Sequence, residues 1–334
     1  MKLMYKQMRS SAGSKRTVFL GRSEFCLRIR VGKPFGFPNP SVVPLQTVFA
    51  AAFFNKEVKR MRLGLFTCGY QRYPLEKAFA DAKRFGYDYI ELWGGYPHAF
   101  VGDLKLKTAA HIRELIDKYD IPVECFTPEH NGYPYNYMMG DEIQWERSMM
   151  YLEDAIDITA EIGAKKMLIS AGHAGYEMKD MDIMKRLMKS LRRLTEYAEQ
   201  KGVTIVLEPL TIYESNVITS LRDLDRALSL VPSPNLVGMV DLAVPFATGE
   251  PAAEYVRRLG DRFQYLHIID NDGVSDSHIL PGDGCLPLKE TLQEIREVGY
   301  DGQATIELVT GYLKEPSVYA GMAIRRVREM LEEE

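Results

Sequence analysis

The sequence predicts a (β/α)8 TIM barrel over residues 61–334. Eight short apolar runs of β type each precede a helical stretch, and they are continuous in polarity, as strands buried on both faces are. The eight units fill about 270 residues, the size of a closed eight-stranded barrel. No GxGxxG loop follows the first run, so an open dinucleotide-binding sheet has little support.

The units follow one another regularly from Met61. "RLGLFT" (62–67) precedes a helix over 74–85, and "YDYIELW" (87–93) one over 104–119. "IPVECFT" (121–127) leads through "PEHNGYPYN" to an amphipathic helix near 142–162. "KKMLISAG" (165–172) is followed by a helix near 180–201, and "VTIVLE" (203–208) by one near 220–230. "NLVGMVD" (235–241) pairs with a helix near 251–259, and "FQYLHIID" (263–270) with one at 287–298. "QATIELV" (303–309) precedes the last helix, 315–332.

Residues 1–60 differ from this body. They hold twelve of the 42 Lys and Arg but only two acids, Glu24 and Glu57, which leaves 30 basic and 44 acidic side chains for residues 61–334. Prolines at 34, 38, 40 and 44 and the lack of a helical period set the segment outside the fold. It is expected to be a leader: an added segment, a start placed too far upstream, or a targeting segment, whose Arg-rich, acid-poor composition suits an organellar transit peptide. Its charged region is too long for a secretory signal. The acidic body argues against nucleic acid as a partner, and no apolar run has the roughly 18 residues of a membrane helix. Cys26, Cys68, Cys125 and Cys285 are scattered without a CxxC pair, as expected of reduced, mostly buried thiols in a cytoplasmic protein.

The polar residues at strand ends carry the chemistry. The run "IVLEPLTIYESN" (205–216) ends its apolar stretch on Glu208, and a buried carboxylate needs a partner or a metal. The next run ends in Asp241, the seventh carries His267 and the eighth Glu307. In such a barrel these ends converge on one mouth. Three carboxylates and one imidazole suit a divalent ion such as Mn²⁺, Mg²⁺ or Co²⁺ better than a structural zinc.

"LEPLTIYESN", "MVD", "HIIDNDGVSDSHILPGDG" and "ELVTGYLKEPSVYA" resemble the sugar-epimerase branch of the xylose-isomerase-like barrels. "FTCGYQRYPLEKAF", "ELWGGYPHAF", "TPEHNGYPYNYMMGDE" and "LISAGHAGY" narrow the resemblance to 3-epimerases of Amadori adducts such as fructoselysine. It covers residues 61–334 and none of 1–60. The resemblance implies a divalent ion (Mn²⁺, Co²⁺, Ni²⁺ or Mg²⁺) on Glu208, Asp241, His267 and Glu307, with Glu208 and Glu307 as the acid/base pair. It also implies that Glu214 and His173 contact substrate hydroxyls, and that the protein is a homo-oligomer with a small sugar as its ligand.

Two departures bear on substrate. Related ketose 3-epimerases carry a histidine where this chain has Val244, and an arginine after the histidine ligand that has no counterpart here. His278 is the candidate replacement, and both changes argue against a simple free ketohexose. The part of the substrate beyond the sugar would meet "EHNGYPYNY" and "GGYPHAF", where Tyr133, Tyr135, Asn131 and His98 are candidate walls. Arg72 would meet a substrate carboxylate or face solvent, and His111 is expected on the surface. The alternatives are an epimerase or isomerase of another ketose, free or phosphorylated, and a sugar-binding barrel without catalysis.

Overall fold

The computed structural model describes residues 60–332 apart from residue 133. The expected leader, Arg60 excepted, and the candidate Tyr133 therefore lie outside the described residues. Eight parallel strands pair in sequence order and close on themselves: β1 (Arg62–Phe66), β2 (Tyr89–Gly94), β3 (Val123–Pro128), β4 (Lys166–Ser170), β5 (Thr204–Glu208), β6 (Leu236–Asp241), β7 (Phe263–Ile268) and β8 (Gln303–Ile306). This is the closed barrel that the alternation predicts. Along it run α1 (Leu75–Phe85), α2 (Val101–Lys107), α3 (Ala110–Tyr119), α4 (Glu142–Glu161) and α5 (Asp180–Lys201). They are followed by α6 (Leu221–Leu230), α7 (Ala243–Thr248), α8 (Ala252–Leu259), α9 (Leu288–Glu297) and α10 (Pro316–Glu332).

The helices form because one stripe of each is apolar. In α5, Leu187, Leu191, Leu194 and Ala198 recur at helical spacing and are buried, while its charged residues face outward. Asp141 starts α4 with a reciprocal cap: its carboxylate accepts the Gln144 backbone N–H at 2.9 Å, and Gln144 accepts that of Asp141 at 2.9 Å. Such a cap is worth about 1 kcal/mol.

Two elements differ from the expectation. The helix expected over 104–119 is broken at Thr108, whose φ is +67°. Glu161, at the end of α4, accepts the Ala109 backbone N–H at 3.1 Å, so a tertiary bond replaces the helical one. The short α7 was hidden by Pro245, which falls in its first turn, where a missing N–H costs nothing.

Inside the barrel Tyr89, Cys125, Leu168, Val206, Val237, Met239 and Tyr265 form a core of their own. The Tyr89 and Tyr265 hydroxyls both meet Thr305 Oγ1, at 3.0 and 2.7 Å. Gly64 on β1 makes room for the Tyr89 ring, since a Cβ there would lie 2.2 Å from it. The pairing shifts by one residue at two places, between Ile90 and Glu91 on β2 against β3, and between Gly238 and Met239 on β6 against β7. Bulges of this kind re-aim the residues beyond them.

Cys68 and Cys125 are buried free thiols and Cys285 is an exposed one. Among the described residues no helix is long and apolar enough to cross a membrane. The Gly64→Ala variant is expected to lose about 1–3 kcal/mol through overpacking against Tyr89. Urea unfolding of the two proteins side by side measures this, and equal midpoints would show that the ring yields freely.

Candidate active site

Glu208 and Asp241 are the last residues of β5 and β6, and Glu307 directly follows β8. His267 lies in β7, in register with Asp241 on one side and Thr305 on the other. The closed barrel therefore brings all four sequence candidates to one mouth. His267 Nδ1 is 3.0 Å from Glu307 Oε2, 3.2 Å from Glu208 Oε1 and 3.8 Å from Asp241 Oδ2. A fifth group arrives from the loop after β7: His278 Nε2 is 3.5 Å from Glu307 Oε2 and 3.7 Å from Asp241 Oδ2.

The side chains are nearly dry, from 2 % exposed for His267 to 18 % for His278. Burial pushes the Glu208 carboxyl up despite His267 beside it, and raises Asp241 to about 7. Glu307 goes the other way: burial opposes its charge, but His278 and His267 hold it below the ordinary range. Burial works against charge on the two imidazoles as well. The carboxylates around them nonetheless lift His278 to about 9 and His267 well above its usual value.

These residues suit a divalent cation. His267 Nδ1 and Asp241 Oδ2 are buried without a hydrogen-bond partner, both turned toward the other acids. One ligand atom each from Glu208, Asp241 and His267 lie within 4.8 Å of one another, as do those of Asp241, His278 and Glu307. A candidate metal site of Glu, Asp and His is thus present, with oxygen-rich donors that fit hard or borderline ions.

The surrounding loops are tied by their own polar side chains. Asp270, 1 % exposed, accepts the backbone N–H groups of Asn271, Gly282, Gly284 and Leu286 at 2.9–3.0 Å. Gly284 is required there, since a Cβ would lie 2.2 Å from Asp270 Oδ1. Asn271 adds bonds to the carbonyls of Ser275 and Ser277. This network presents Asp276 and His278 to the mouth. Thr211, after β5, donates to Asp276 at 2.8 Å, and Asp276 in turn faces Glu214. Burial, with Asp276 adding to it, raises Glu214 to about 8.

A cavity of about 720 Å³ opens above the three acids and His267. Of the residues expected to touch substrate, Glu214, His278 and Asn131 line it. His98 and His173 do not lie on its wall. His98 is buried behind Trp93, edge-on to the indole, with Nε2 3.0 Å from the Tyr73 carbonyl. His173 turns its Nδ1 to the Gly175 N–H at 2.9 Å and its ring edge to Tyr176. Tyr135 stacks on Tyr151 at 3.8 Å instead of forming a wall, and Arg72 and His111 are exposed. Sequence reasoning missed the aromatic walls Phe66 and Trp93, the acid Asp276, and a fully buried Glu91 beneath His267. Glu91 had the same signal as Glu208, an acid in an apolar run, but in mid-strand instead of at its end.

A sequence profile of the xylose isomerase-like TIM barrel family matches residues 79–330. The chain is 48 % identical over 274 residues to fructoselysine 3-epimerase of Shigella flexneri, covering 82 % of this chain and 99 % of the relative. Among solved structures, apo 3-keto-D-glucoside 4-epimerase from Escherichia coli superposes with a TM-score of 0.69 at 19 % identity, over 81 % of this chain and 100 % of the other. The IOLI protein, solved with a zinc atom, superposes at 0.66 with 19 % identity, over 81 % and 96 %.

The Asp270→Ala variant is expected to free the segment 271–286, because four backbone N–H groups lose their shared acceptor. Hydrogen exchange there should quicken at least tenfold while β1–β8 keep their protection. Unchanged exchange would mean that the other loop bonds suffice.

Proposed function

Since the chain belongs to the xylose isomerase-like TIM-barrel family and is an isomerase-class enzyme, we propose that it inverts C3 of a ketose bearing an amine on C1. Fructoselysine, the substrate named for the Shigella relative, is the leading candidate, with psicoselysine as product. The observation that carries this reading is the composition of the cavity. Its described lining residues include six acids, Glu129, Glu208, Glu214, Asp241, Asp276 and Glu307, and no lysine or arginine. A phosphorylated ketose would bring more negative charge into that field without a cation to meet it. An Amadori amine, protonated at neutral pH, would bring the opposite charge.

A divalent ion would be held by Glu208, Asp241, His267 and Glu307; when bound, it would polarise the ketone carbonyl as a Lewis acid and so acidify the C3 proton. Glu208 and Glu307 come from the ends of β5 and β8, separated by β6 and β7, and meet at His267 Nδ1. With the sugar between them, one carboxylate takes the C3 proton and the other returns one to the opposite face. Burial displaces Glu208 upward, while His278 and His267 hold Glu307 down, so the two carboxylates of the pair stand in unlike electrostatic surroundings. Glu214 and Asp276 would take the substrate ammonium, and Phe66 and Trp93 would shield the reacting carbon from water.

Proton NMR in D2O tests the reaction directly. Protein loaded with Mn²⁺ or Co²⁺ should remove the C3 proton signal of fructoselysine and generate psicoselysine, and chelated protein should not. No exchange by protein shown to bind the ion would sink the reading. Glu307→Gln should slow exchange by about 10²–10⁴-fold, the range for loss of a proton-transfer group, while the sugar still binds. Asp276→Asn should narrow the preference for fructoselysine over fructose at least tenfold, and an unaltered preference would remove the amine from the argument.

A further inference from the structure

Glu91 does not line the cavity, yet it is 0 % exposed, and among the described residues no lysine or arginine is paired with it. A carboxylate buried so completely needs several donors. It finds three. Thr127 Oγ1 donates to Oε1 at 2.7 Å, Tyr265 OH donates to Oε2 at 2.9 Å, and His267 Nε2 lies 3.2 and 3.0 Å from the two oxygens. The Tyr265 hydroxyl is itself supported by Thr305, and Thr305 by Tyr89. Since a carboxylate has no hydrogen to give, the order of donation along this chain is fixed: Tyr89 to Thr305, Thr305 to Tyr265, Tyr265 to Glu91. Bonds aligned in one direction strengthen one another in a dry interior.

The same logic assigns the hydrogen on His267. Nε2 faces the Glu91 acceptor and must carry a hydrogen, so Nδ1, turned to Glu208, Asp241 and Glu307, is the atom that would give up its hydrogen to a metal ion. We propose that Glu91 is a positioning residue for the metal centre: it selects Nδ1 of His267 as the ligating atom, orients the ring, and adds negative charge behind it that makes the imidazole a stronger donor. A histidine ligand backed by a carboxylate is a stronger ligand than a free imidazole, and loss of such a partner weakens metal binding about 10–100-fold. The strand geometry is consistent with this role. The pairing of β2 with β3 slips by one residue immediately before Glu91, and that of β6 with β7 slips two pairs before His267.

The proposal rests on the reading of Glu208, Asp241, His267 and Glu307 as the metal site, and metal affinity separates the two. Calorimetric titration of the whole chain with Mn²⁺ and with Co²⁺ is compared among wild type, Glu91→Gln and Tyr265→Phe. Wild type that binds neither ion overturns the site itself. If wild type binds, Glu91→Gln should bind about 10–100-fold more weakly, and Tyr265→Phe, which removes one donor to Glu91 and leaves His267 untouched, should show a smaller fall in the same direction. Long-range ¹H–¹⁵N spectra give a second readout independent of activity. With Mg²⁺ bound, wild-type His267 should show its one hydrogen on Nε2, and the Gln variant a mixture of tautomers. Equal affinities in all three proteins, or an unchanged tautomer in Glu91→Gln, would reduce Glu91 to a packing residue. Should Glu91→Gln fail to fold, the Tyr265→Phe affinity and the wild-type tautomer decide the matter alone.

Discussion

Repulsion among carboxylates at one end of the barrel is the constraint that the rest of the structure answers. Glu208, Asp241 and Glu307 converge within about a hydrogen-bond length or slightly more of a single ring nitrogen, in surroundings that water hardly reaches. In so dry a place like charges repel strongly, and unpaired ones are costly. The chain meets this with imidazoles. His267 stands at the centre and His278 at the upper edge, each drawn toward the charged form by the acids around it. A divalent ion would satisfy the same oxygens more completely, so the arrangement that looks strained as a set of amino acids is coherent as a coordination sphere. The parallel strands supply the geometry, because each delivers its last residue to the same rim.

Much of this was legible in the sequence. Strand and helix alternate with little ambiguity, and the ends "LE", "MVD", "HIID" and "IEL" announce polar groups where apolar runs stop. What stayed hidden was set by contacts between distant segments. The break at Thr108 depends on Glu161, more than fifty residues away, and no local signal marks it. His98 and His173 stand in polar, glycine-rich loops that resemble binding loops, but their rings are claimed by the Tyr73 carbonyl and the Gly175 N–H. Pro245 reads as a breaker in a window that cannot reveal which turn it occupies. Glu91 is hidden by its company, since "YDYIELW" reads as a strand whether its acid meets solvent or the interior, and only its bonds to Tyr265 and His267, far off in sequence, decide. The aromatic walls Phe66 and Trp93 had no signal at all beyond belonging to apolar strands.

The site is also built in two materials. The groups proposed for the metal and the proton transfers stand in or directly beside barrel strands, with backbones locked in the sheet or, for Glu307, bonded to the Ile268 carbonyl at 3.3 Å. Those proposed to recognise the amine, Glu214 and Asp276, stand on loops whose shape comes from side chains such as Thr211, Ser215 and Asn271. Rigid support suits a proton that must travel between two fixed carboxylates. A loop suits the part of a substrate whose size and charge differ from one sugar derivative to another.

Asp270 gives that division a further meaning. By gathering four backbone N–H groups onto one buried carboxylate, it closes the excursion after β7 into a ring whose two ends are fastened at the same point of the barrel. Residues between the fastenings, His278 beside Asp241 and Glu307 excepted, can be exchanged, lengthened or recharged while the ring stays anchored to the barrel. A lineage that keeps Asp270 and the glycine packed against it can therefore explore new substrates by redrawing the interior of one ring, while the proton-moving apparatus below is inherited unaltered.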